Sequence, residues 1–129
     1  MKYYNSKIIN GTNIEALRPL IEEELKKEGF GILTEIDVKE TLKKKLDVDF
    51  KKYRILGACN PPFAYKALQA EDRIGAMLPC NVIVIEQSEN KIEISAVDPV
   101  ASMQAVDNES LSDIALEIQA KLIRVIDIL

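Results

Sequence analysis

The apolar positions of this chain change period several times, and each change marks an element. Residues 2 to 9, rich in Tyr and Ile, end at Asn10-Gly11 and read as a strand closed by a turn. From Ile14 the period is helical. Ile14, Leu17, Ile21 and Leu25 recur at spacings of three and four, and Lys26 and Lys27 fall just before Gly29. Thr12-Asn13-Ile14-Glu15 has the spacing of a capping box, in which Thr12 and Glu15 each satisfy a free backbone N–H. Pro19 interrupts the helix; because the stripe begins before it, a kink is expected there, not a late start. Alternation returns at Phe30 to Asp37, with Ile32, Thr34 and Ile36 on one side and Leu33, Glu35 and Asp37 on the other. Asp37-Val38-Lys39-Glu40 then repeats the capping spacing ahead of a short basic helix that reaches Leu46.

The second half obeys the same logic. Tyr53 to Cys59 reads as a third strand, placing Tyr53, Ile55, Gly57 and Cys59 on one face. Asn60-Pro61-Pro62 is a helix start, with Asn60 as the cap and Pro61 at the first helical position, where a missing N–H costs nothing. That helix turns Phe63, Ala64, Ala67 and Leu68 inward, ends around Glu71, and is followed by a turn through Leu78 to Pro79. Cys80-Asn81 opens a fourth strand, Val82 to Glu86, whose unbroken apolar run is expected of a central strand covered on both faces. Lys91 to Val97 completes a hairpin with it across Ser88-Glu89-Asn90. Asp98-Pro99 repeats the Asn60-Pro61 device for a helical segment running through Val106, and Asp107 or Asn108 caps the last helix. There Leu111, Ile114, Ala115, Ile118, Leu122, Val125 and Leu129 form one stripe. Ile123, Ile126 and Ile128 lie outside it, and this surplus predicts a partner surface, with a second copy of the chain as the partner. The fold class is therefore α+β: a single domain over residues 1–129, with a mainly antiparallel sheet of five strands, helices packed on it and a long C-terminal helix.

Composition narrows the function classes. A length of 129 residues, 47% apolar and 29% charged, suits one soluble globular domain. A formal charge of -4 argues against nucleic acid, since phosphate neutralisation needs a concentrated basic surface. Lys43-Lys44-Lys45 with Lys51-Lys52 reads as the solvated side of a helix and its exit. No run has the length of a signal peptide's apolar core or a membrane span, so a cytoplasmic location with reduced thiols at Cys59 and Cys80 is expected. The chain has no histidine, which removes Ser-His-Asp and Cys-His nucleophile pairs and His-based metal motifs. Phosphate-binding loops and dinucleotide fingerprints are also missing. No catalytic residue, cofactor or metal is named by this pattern, and a binding role is favoured over catalysis.

The segments Gly57-Ala58-Cys59-Asn60-Pro61-Pro62 with Ala67-Leu68, Leu78-Pro79-Cys80-Asn81 and Val97-Asp98-Pro99 together resemble the prokaryotic family known as domain of unknown function 302. Gly29-Phe30-Gly31 with Thr34-Glu35-Ile36-Asp37 is similar to that family's second strand. The resemblance implies a compact α+β fold of the TATA-binding-protein-like type and carries no assigned activity; the likeness of fold implies no binding of DNA. The candidate ligand-binding residues are Cys59, Asn60, Cys80 and Asn81, with Asp98 and Glu35 as possible neighbours. Three readings stay open. One is a small-ligand or anion site at helix starts after Asp37, Asn60 and Asp98. Another is a thiol site at Cys59 and Cys80 for a soft metal or for persulfide and redox chemistry. The third is a structural homodimer within a larger assembly. Each has a plain counterpart: helices need caps, and free cysteines are commonly apolar filler.

Overall fold

The alternating segments close into one sheet. The computed structural model describes residues 2–129. Strands β1 (Tyr4–Asn10), β2 (Gly31–Asp37), β3 (Tyr53–Cys59), β4 (Cys80–Ser88) and β5 (Lys91–Val97) lie in the order β1-β5-β4-β3-β2. Every neighbouring pair is antiparallel. The greasiest strand, β4, is the middle one, as its composition predicts. Helices α1 (Ile14–Lys27), α2 (Val38–Leu46), α3 (Pro61–Ala70), α4 (Pro99–Ser102) and α5 (Ser112–Ile128) complete the α+β fold, with short 3-10 turns at Ile74–Met77 and Glu109–Leu111.

The main core lies between one face of the sheet and helices α1 and α5. Ile14, Leu17, Ile21 and Leu25 of α1 and Ile118, Leu122 and Val125 of α5 meet Leu56, Val82, Val84, Ile92 and Ile94 of the strands, all buried. Each such side chain contributes about 1.5–3 kcal/mol, which is what holds two helices on a single sheet face. A smaller satellite core forms beyond the end of the sheet, where Ala67 of α3 packs with Ile74 and Leu111.

Several local expectations change, each for a physical reason. Asn13, not Thr12, caps α1, accepting a hydrogen bond from the Ala16 N–H at 2.8 Å. The helix then runs through Pro19 as one element. Its C-terminus closes with Gly29 at φ +86°, the left-handed geometry that leaves the Gly29 and Phe30 N–H groups bonded to the Lys26 and Leu25 carbonyls. In β2 the register shifts between Ile32 and Thr34, so Ile32 pairs with Ala58 and packs on the core while Thr34 pairs with Gly57. The expected sharing of one face by Ile32 and Thr34 is thereby broken. α4 stops at Ser102, well short of Val106. Asn108 caps the 3-10 turn that leads into α5. Of the three apolar residues outside the α5 stripe, Ile126 is buried in the main core, Ile123 is half-buried and Ile128 is exposed, at 67%.

Candidate functional site

The main and satellite cores do not merge, and a cavity of about 310 Å³ lies at their seam. Phe30, Ala58, Phe63, Cys80 and Ile118 wall it from the main core side, and Leu78, Met103 and Ile114 from the other. The space exists because the elements meet there through small residues, Ala64 and Ala67 of α3, Gly75 and Ala115, which bring backbones near without filling the gap. Gly57 supports the same corner. A Cβ there would collide with the Thr34 hydroxyl and come within 2.8 Å of the Pro79 ring, so only glycine lets the segment that leads into β4 at Pro79 seat against β3.

Of the six candidate residues, Cys59, Asn60 and Cys80 line this cavity. Both cysteines are free thiols, Cys59 ending β3 and Cys80 opening β4 beside it. Burial first, and the neighbouring Cys59 second, together push the Cys80 thiol up to about 11. Cys80 therefore stays protonated at neutral pH, which works against a ready thiolate.

Asn60 does not cap α3, contrary to its position before Pro61. Its side-chain amide instead donates to the Glu28 carbonyl at 3.1 Å, tying the end of α1 to the β3–α3 junction, and the residue is 7% exposed. The reason lies in the two adjoining prolines. Pro61 and Pro62 carry no N–H, so α3 presents few of the donors that a cap satisfies.

The remaining three candidates lie elsewhere. Asn81 pairs with Gly57 and is exposed. Glu35 is bound by Arg18 at 2.9 Å and Arg54 at 3.2 Å, in a surface ion-pair network that also includes Glu15. Asp98 caps α4 through Val100 and Ala101 and accepts from Gln119 Nε2 at 3.1 Å. Asp37 likewise caps α2 by accepting from Glu40 N–H at 3.0 Å. Each of the three helix starts has some of its first donors taken by its own cap or removed by proline.

A family model for the domain of unknown function DUF302 matches residues 7–129. The chain belongs to the DUF302 family. The crystal structure of an uncharacterized conserved DUF302 protein from Bacillus stearothermophilus superposes on it with a TM-score of 0.89 at 29% identity, covering 98% of each chain. No curated protein matches the chain. Membership carries the fold with it and leaves the chemistry of this DUF302 chain to its own residues.

What the arrangement offers is an apolar recess with one amide and two thiols on its wall. Among the described residues no cluster of three or more Cys, Asp or Glu side chains has metal-holding geometry, and no helix is long and apolar enough to cross a membrane. The sequence motifs pointed to three of these wall residues, Cys59, Asn60 and Cys80. Met103 and Ile114, on the opposite wall, carried no signal beyond helical periodicity; the one available hint was the run of small residues in α3.

Proposed function

We propose that this chain is a binding module for a small apolar molecule, with its site in the seam cavity. The observation that carries the reading is the cavity itself. At about 310 Å³ it reaches the lower end of the range of small-molecule sites, and nearly every side chain on its wall is apolar. Asn60 is already committed to Glu28, so affinity would come from excluded water rather than from charge. A panel of medium-chain fatty acids, alcohols and aromatic compounds, screened by thermal unfolding and native mass spectrometry, tests it. At least one class is expected to raise Tm by about 2–5 °C and to appear as an adduct. Ala64→Phe, which fills the cavity from α3, is expected to abolish both signals while the protein stays folded. No stabilisation across the panel would end this reading, as would stabilisation that Ala64→Phe leaves intact.

A second reading is a thiol site, favoured by the placement of Cys59 and Cys80 on the lining of one cavity at the paired ends of β3 and β4. A soft metal ion would have to displace the Cys80 proton, and burial makes that unfavourable unless the metal supplies compensation. The perturbed thiol gives its own prediction. A folded-state pKa of about 11 against an ordinary value of 9.0 means stability present below pH 9 and lost as pH rises through 11. Relative to Cys80→Ser, the wild-type protein is expected to lose about 2–3 kcal/mol between those pH values, read by denaturant unfolding. Parallel curves for the two proteins would show that the thiol is more accessible than its cavity position implies. Metal retained by the wild type and lost in both Cys59→Ser and Cys80→Ser would move the conclusion to this second reading.

A further inference from the structure

The lining of the seam cavity carries no charged residue, yet two ammonium groups stand beside it. Phe63 is the link. Its ring walls the cavity and packs on the main core, and the Nζ atoms of Lys66 and Lys121 lie over that ring, 5.4 and 5.9 Å from its centroid. Each lysine is one helical turn from a lining residue, Lys66 from Phe63 on α3 and Lys121 from Ile118 on α5, so both spring from helix faces that border the recess.

The charge at this border is not balanced from within. Lys66 makes no salt bridge among the described residues. Lys121 has only Glu28 within ion-pair reach, at 3.9 Å, and that carboxylate is already held by Arg124 at 2.9 Å. Glu28 is fixed beside the cavity because Asn60, on the lining, donates to its backbone carbonyl. One carboxylate thus serves two cations while a third has none, which leaves positive charge in excess. The Phe63 ring steadies the two ammonium groups without neutralising them.

We infer that the seam cavity takes a linear medium-chain carboxylate, its tail in the recess and its head at the Phe63 border beside Lys66 and Lys121. This rests on the reading of the cavity as an apolar binding site and names what selects among the molecules that fit it. Size sets the tail. An apolar cavity of about 150 Å³ takes a six-carbon ring, so about 310 Å³ suits roughly ten to twelve carbons. The recess is open, with Leu33 and Leu68 of its lining 67% and 44% exposed, so a charged head keeps its water while the tail is covered. The tail supplies the affinity, and the two ammonium groups supply the preference for an anionic head.

Isothermal titration of the full chain with decanoate, decanol and decylamine at neutral pH and low salt tests the inference, since the three share a tail and differ in head charge. Decanoate is expected to bind about 5–10-fold more tightly than decanol, the combined effect of two partly exposed ion pairs, and decylamine more weakly than either. Lys66→Gln and Lys121→Gln combined in one protein are expected to bring decanoate to the level of decanol and to leave decanol unchanged. Lys91→Gln, at the far end of β5, is expected to change none of the three. Thermal unfolding checks that the double variant is folded. Decanol bound as tightly as decanoate, or a preference that survives the double variant, overturns this inference while the cavity reading stands. So does silence from all three compounds beside an aromatic that binds. Decanoate binding that Ala64→Phe leaves intact overturns both.

Discussion

Asn60-Pro61-Pro62 and Asp98-Pro99 are written alike, a polar residue ahead of proline where a strand ends, and their side chains do opposite work. Asp98 accepts: its Oδ1 takes the Val100 and Ala101 N–H groups at the start of α4. Asn60 donates: its Nδ2 reaches back to the Glu28 carbonyl, left over where the left-handed turn at Gly29 ends α1. The difference lies in the number of prolines at each helix start. A single proline removes one N–H and leaves the second and third positions needing an acceptor, whereas two prolines remove both of the first donors and with them most of the reason to cap. An Asn in that setting is free to hold two distant segments together, and a Cβ at Gly29 would stand 3.1 Å from its amide nitrogen. The lesson is that a cap motif must be read together with the donors available to it.

The comparison is broken most directly by Asn60→Asp. The change keeps size and acceptor but removes the donor, setting a carboxylate against the Glu28 carbonyl in a buried place. We expect a loss of about 2–4 kcal/mol at neutral pH by denaturant unfolding, from the lost bond, the unsatisfied carbonyl and the buried charge. Burial raises the folded-state pKa of the new carboxyl above its unfolded value, so the loss shrinks as pH falls and the acid regains a proton to donate. If the variant were as stable as the wild type at pH 7, Asn60 would be an ordinary cap after all.

Much of the fold was legible because its signals are local. The period of Tyr53–Cys59 and Lys91–Val97 names their strands residue for residue, and the apolar run at Val82 marks the central strand. The stripe of α5 likewise declares its sheet-facing side. What was not legible depends on contacts between distant segments. The bulge between Ile32 and Thr34 is visible only once β3 is beside β2. The partner of Asn60 lies 32 residues earlier in the chain. The candidate site divides in the same way. Cys59 and Cys80 share a cavity because β3 and β4 pair, which the strand assignments allow, but the cavity's far wall comes from Met103 and α5, and no local pattern links those to α3. Glu35 and Asp98 were grouped with the cysteines by motif; ion pairing holds the first elsewhere, and capping the second.

The smaller effects sharpen the contrast from the Asp98 side. Asp98→Ala leaves the Val100 and Ala101 donors without their acceptor, and about 1–2 kcal/mol is expected to be lost, the ordinary cost of deleting a cap. Asp98→Asn is the reciprocal of Asn60→Asp and is expected to cost less than about 1 kcal/mol. The asparagine oxygen still accepts from the helix start, and what is lost is one favourable charge and one contact with Gln119, whose Nε2 now meets an amide that also donates. Rotation of the Gln119 amide restores that pairing by offering its oxygen to the new N–H group. The same acid–amide exchange thus has unequal costs at two look-alike junctions, and the inequality measures how far Asn60 acts as a donor. Equal losses for Asp98→Asn and Asn60→Asp would remove that distinction and return both residues to one role.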